Sequence, residues 1–90
     1  MSADAVRTWL VERTYSDDEL NLIILTYATT DGERYFRKER ALTSVTDARE
    51  TTAAVDVDPH NLGDVPADQR EEYASQARRT AEQYDPDDAI

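Results

Sequence analysis

The chain has 90 residues and a formal net charge of −10, with 39% hydrophobic residues and no cysteine. That length suits one small domain, and the lack of thiols excludes disulfides, zinc–thiolate sites, iron–sulfur clusters and cysteine nucleophiles. Twelve of the 35 hydrophobic residues are alanine, which predicts a thin core in a domain that buries only about 60–65% of the surface its unfolded chain exposes.

Val6 to Tyr15 (VRTWLVERTY) is rich in β-branched and aromatic residues and reads as a strand over about 6–15. Ser16 to Glu19 supplies polar turn residues, and Leu20 to Thr30 (LNLIILTYATT) reads as a second strand. Asp31-Gly32 then precedes a third strand over about 33–42 (ERYFRKERAL). Asp-Gly between two such runs is a hairpin signal, because both residues tolerate the positive φ of a tight turn. A two-residue turn and a three-residue turn with a bulge both fit.

Past Leu42 the pattern changes. Ser44-Val45-Thr46-Asp47 resembles a helix start, and Val45, Ala48, Thr52 and Val55 recur at helical spacing before Pro59, so a helix is expected over 46–57. Thr51-Thr52 and the run AAVDV leave a short fourth strand as the alternative. A loop from Asp58 to Pro66 leads to the clearest helix, 67–84, with Tyr73, Ala77, Ala81 and Tyr84 along one face. Asp64 is expected to cap that helix, with Pro66 in its first turn. Asp85-Pro86-Asp87-Asp88 ends it and opens an acidic tail, 85–90.

The expected fold is therefore α+β: a three-stranded antiparallel meander followed by one or two helices packed on the sheet. The second strand should be central, and NLIIL places Leu22 and Ile24 on one face and Ile23 and Leu25 on the other, so both faces need cover. Charge is unevenly spread. Residues 1–42 sum to −2 and residues 43–90 to −8, which makes the sheet half the better candidate for meeting a partner.

Three constellations bear on chemistry. ERYFRKER gathers Arg34, Arg37, Lys38 and Arg40 around Tyr35 and Phe36, a pattern that can neutralise phosphates and stack bases; cross-strand ion pairs and an amphipathic strand surface, with Phe36 inward under long arginine stems, are the favoured account. The loop DVDPHNLGD offers Asp56, Asp58 and Asp64 as weak cation ligands beside His60 and Asn61. It departs from a calcium loop where Asn61 replaces the turn glycine and Ala67 the bidentate glutamate. His60 is the sole histidine and no nucleophile motif accompanies it, while two glycines, Gly32 and Gly63, cannot build a glycine-rich phosphate cradle. Catalysis is not expected, and no cofactor is implied. MSADAVRTWL carries no basic start followed by a long apolar run, and LIIL at Leu22 to Leu25 falls far short of the roughly 18 residues of a membrane span. A cytoplasmic protein is expected.

From Trp9 to Ser44 (WLVERTYSDDELNLIILTYATTDGERYFRKERALTS), and more loosely through Asn61-Leu62-Gly63 and the terminal YDPDD, the sequence resembles a small family of uncharacterised haloarchaeal proteins. The resemblance implies a stand-alone domain in a halophilic archaeal cytoplasm. One lysine against nine arginines and the acidic excess agree with it, since dense salt shortens the Debye length to about 3 Å at 1 M. It implies no activity and no site residue. The leading expectation is a non-catalytic interaction module that uses an apolar sheet face around Trp9, Val11, Ile23, Leu25, Tyr27 and Phe36, against itself or another protein. The alternative is nucleic acid on Arg34, Arg37, Lys38 and Arg40.

Overall fold

A computed structural model describes residues 4–15, 22–41 and 51–89. Strands β1 (Val6–Tyr15), β2 (Leu22–Ala28), β3 (Arg34–Ala41), β4 (Ala54–Val57) and β5 (Gly63–Asp64) form one antiparallel sheet in the order β4-β1-β2-β3-β5. One helix, α1 (Arg70–Gln83), follows a 3-10 turn over Ala67–Gln69. The class is α+β as expected and β2 is central, but among the described residues the sheet has five strands, not three.

The fourth strand is the AAVDV segment, for which helix had been the expectation. Ala54 and Asp56 face α1, opposite Trp9 and Arg7 of β1, while Val55 and Val57 face the other side, opposite Thr8 and Val6. Strict alternation and ladder bonds to a strand nearly fifty residues away outweigh the local helical spacing. The first part of the expected helix, including Thr46 and Asp47, lies outside the described residues.

Between β2 and β3 the turn is longer than either form anticipated from Asp31-Gly32. The amide of Thr29 donates to the carbonyl of Arg34 (3.1 Å) and that of Gly32 to Thr29 (2.9 Å), enclosing Thr30 to Glu33. Asp31 Oδ1 accepts from the Thr29 hydroxyl (2.5 Å) and the Glu33 amide (2.9 Å), so its carboxyl is held below the usual carboxylate range, chiefly by that hydroxyl. Gly32 has φ +73°, and a Cβ there would stand 2.0 Å from the Arg70 carbonyl oxygen and 2.8 Å from the Ala74 amide nitrogen. The hairpin tip thus presses its backbone against the first turn of α1, where only glycine fits.

The helix lies over β1, and the layer between them is built from small residues. Ala28, Ala53, Ala54 and Ala77 surround Trp9, with Val11, Tyr73 and Ala81 at the margin. Alanine, which composition suggested would thin the core, here lets helix and sheet approach closely around one indole. Tyr84 lies past the end of the helix and is exposed. The opposite face holds a second cluster of Leu10, Ile23, Leu25 and Tyr27, with Phe36 and Val55 packed against it. Leu25 is 1% and Tyr27 2% exposed, so this face is already covered within the single chain. The Tyr27 hydroxyl donates to the carbonyl of Thr52 (3.3 Å).

Two expectations at the helix ends are corrected. Asp64 does not cap α1: it sits in β5, and the residue at the cap position, Gln69, makes no side-chain capping bond. Pro66 lies ahead of the 3-10 turn, not in the first turn of the helix. The acidic segment after the helix is not a free tail. Asp85 to Asp88 turn back, the amides of Ala53 and Ala54 donate to the carbonyls of Asp88 (2.8 Å) and Pro86 (3.1 Å), and Thr52 bridges Ala89. These bonds cover the outer edge of the sheet where β4 begins.

Candidate interaction surface

Each ladder alternates, so one face of β3 carries Tyr35, Arg37 and Glu39, opposite Ala28, Thr26 and Ile24, and the other carries Arg34, Phe36 and Lys38. The basic residues picked out in the sequence therefore divide. Arg34 and Lys38 lie on the face away from the helix and Arg37 on the helix face. Arg40 occupies the ladder position opposite Ile23, and its side chain lies outside the described ones. Arg34 Nε stands 3.7 Å from Asp64 Oδ1 across the β3–β5 pair; Arg37 and Lys38 are exposed.

The six residues expected to form one apolar face do not share one. Trp9 and Val11 belong to the layer under α1, and Ile23, Leu25, Tyr27 and Phe36 to the opposite cluster. Trp9, Ile23, Leu25 and Tyr27 are buried, and only Val11 and Phe36 are half-buried at the margins. The Phe36 ring packs on Tyr27, centroids 6.4 Å apart and tilted by 40°.

The three carboxylates proposed as weak cation ligands are separately engaged. Asp56 accepts from Arg7 Nε at 2.5 Å, a contact that raises the guanidinium further above its usual value. Asp58 accepts from the amide (2.9 Å) and Nδ1 (3.0 Å) of His60 and is held below the usual carboxylate range, chiefly by the amide. Asp64 faces Arg34. Among the described residues no group of three His, Asp or Glu side chains converges on a metal position.

Between the hairpin tip and α1 lies an open groove of about 580 Å³, lined by Asp31, Arg70, Glu71, Arg78 and Arg79 among others. Its charges are of both signs, and Arg70 Nε is turned to the carbonyl of Val65 (3.0 Å), so no single charge dominates it. No described helix is long and apolar enough to cross a membrane.

The backbone of β3 is the feature that sequence reading missed. Thr29 bonds Arg34, so Arg34, Phe36 and Lys38 direct their N–H and C=O groups to β2, while Tyr35, Arg37 and Glu39 direct theirs outward. On that outer side β5 pairs with Arg34 and Tyr35 alone, and the Val65 amide reaches the Glu33 carbonyl (2.9 Å). Preceding β5, the chain is a 3-10 turn over Pro59–Asn61, capped by Asp58 and opened by a proline without an N–H. Among the described residues nothing pairs with the outward groups of Arg37 and Glu39. The turn residues of DPHN were a signal in the sequence that pairing would stop there, but which edge they leave bare follows only from strand order.

The sequence matches a family of unknown function, DUF7967, over residues 2–90. No curated protein and no solved structure matches the chain.

Proposed function

We propose that this chain, which belongs to the DUF7967 family, is a non-catalytic protein-interaction module that docks its partner along the outer edge of β3. The observation that carries the reading is the asymmetry of the two sheet edges. The chain's own C-terminal segment covers the start of β4, a strand of four residues, whereas β5 covers two residues of β3, a strand of eight. Exposed strand edges invite strand addition, so proteins cover them or arm them with charge.

The charge on β3 selects among partners. With four basic residues and one acid from Arg34 to Ala41, two β3 strands repel one another, so this edge favours a different protein over a second copy. The apolar residues first expected to make the surface support it from inside: Tyr27 and Phe36 pack together beneath the strand. Nucleic acid is the lesser reading, because the basic side chains divide between the two faces and Arg34 already faces Asp64. The setting that suits the composition is a halophilic archaeal cytoplasm, where dense salt screens the acidic helix half.

Substitution of Arg37 by proline separates these readings. Its N–H points outward, so Arg37→Pro deletes an edge donor without removing a bond to β2. Tagged wild-type and Arg37→Pro proteins are used for affinity recovery from a lysate of the source organism in multimolar KCl. A protein recovered in stoichiometric yield with wild type and lost with a folded Arg37→Pro variant is the expected result. Equal recovery with both, or recovery of nuclease-sensitive nucleic acid, contradicts it.

A further inference from the structure

We infer, resting on the reading just given, that the segment received by β3 is an extended acidic stretch of the partner that adds as a sixth strand in the lane β5 vacates. From Arg34 to Ala41 the strand carries four basic residues and one acid, in a chain whose net charge is −10. An acidic segment therefore finds opposite charge at this strand, in contact pairs that dense salt screens least, and like charge over most of the rest of the molecule.

The side chains beside the open backbone define the pattern. Arg37 projects on the helix face and Lys38 on the other, both exposed, and the outward N–H and C=O of Arg37 and Glu39 supply the ladder bonds between them. Carboxylates at successive positions of an incoming strand fall on opposite faces and so reach Arg37 and Lys38 one each. The described open stretch, Phe36 to Glu39, spans about 14 Å at roughly 3.4 Å per residue, enough for one short motif and too short for a folded domain. The chain's own acidic segment, Asp85 to Ala89, is not the occupant, because it is committed to the opposite edge.

The test is fluorescence anisotropy with two labelled octapeptides, one carrying pairs of successive Glu residues flanked by Val and the other carrying Lys at the same positions, against wild type, Arg37→Pro and the double variant Arg37→Glu/Lys38→Glu. Binding of the acidic peptide at least about tenfold tighter than the basic one, lost in Arg37→Pro and reversed in preference in the double variant, is the expected result. Equal binding of the two peptides, no binding of either, or acidic binding unchanged in the double variant overturns the inference. If Arg37→Pro still abolishes partner recovery from the lysate, the docking edge stands and only the acidic partner class falls. If Arg37→Pro alters neither experiment, both readings fall.

Discussion

The hydroxyl of Thr80 on α1 donates to the carbonyl oxygen of Leu10 at 2.7 Å, joining residues 70 positions apart. Leu10 lies where the β1–β2 register shifts, at a bulge between Leu10 and Glu12 that interrupts regular pairing. Its amide is taken by the carbonyl of Ala53 (2.9 Å), and the helix supplies a partner for its carbonyl. The helix is thereby fixed over the irregular point of the sheet, with Trp9 and Val11 beneath it.

Thr80→Val should therefore destabilise the fold by about 1–3 kcal/mol, the cost of leaving a buried acceptor without a donor, measured by urea unfolding. Thr80→Ser keeps the hydroxyl and should lose less. A loss in Thr80→Ser with little or none in Thr80→Val would show that the methyl group, not the hydrogen bond, matters.

Gly32→Ala should cost more than Gly63→Ala. At Gly32 a Cβ meets the backbone of α1 at 2.0 Å and the φ of +73° is strained for any L side chain, which alone costs about 1–2 kcal/mol. At Gly63 the obstacle is the Tyr35 ring, at 2.6 Å, and a side chain can rotate away where a helix backbone cannot. Thermal denaturation of the two variants gives the order.

Much of this was legible in the sequence. The first three strands and the central place of β2 follow from alternation and from Asp31-Gly32, because those signals are local. β4 was legible only as the alternative to a helix, since Thr52 and Val55 also fit a helical period and only pairing with β1 decides between them. The return of Asp85 to Ala89 was hidden for a related reason: its contacts to Ala53 and Ala54 are made through backbone carbonyls that any residue carries. The basic strand was visible as a composition, but its division into two faces, and the outward backbone of Arg37, required the register.

Asp31 makes stability pH-dependent. Its carboxylate is held below the ordinary range by the Thr29 hydroxyl and the Glu33 amide, so the folded state binds its proton less readily than the unfolded state. The contribution is complete above the unfolded value, about 3.9, and is lost as pH falls through the lower folded value. The stability difference between wild type and Asp31→Asn should be constant above about pH 5 and shrink towards pH 2. A difference that does not vary over that interval would remove Asp31 from the account.

Salt should stabilise the fold. With a net charge of −10, self-repulsion acts over a Debye length of about 10 Å at 0.1 M and about 3 Å at 1 M. The urea midpoint should rise from dilute buffer to multimolar KCl, with circular dichroism showing loss of structure at the low end. Identical spectra and midpoints across that range would contradict the reading of the acidic excess as adaptation to salt.

The most direct measurement is residue-resolved amide exchange by NMR along β3, without and with the acidic octapeptide. The account predicts slow exchange at Phe36 and Lys38, whose amides bond β2, and fast exchange at Arg37 and Glu39 in the free protein, with protection of those two on adding peptide. Protection of Arg37 and Glu39 in the free protein, or no change when the peptide is added, would contradict the docking edge on β3.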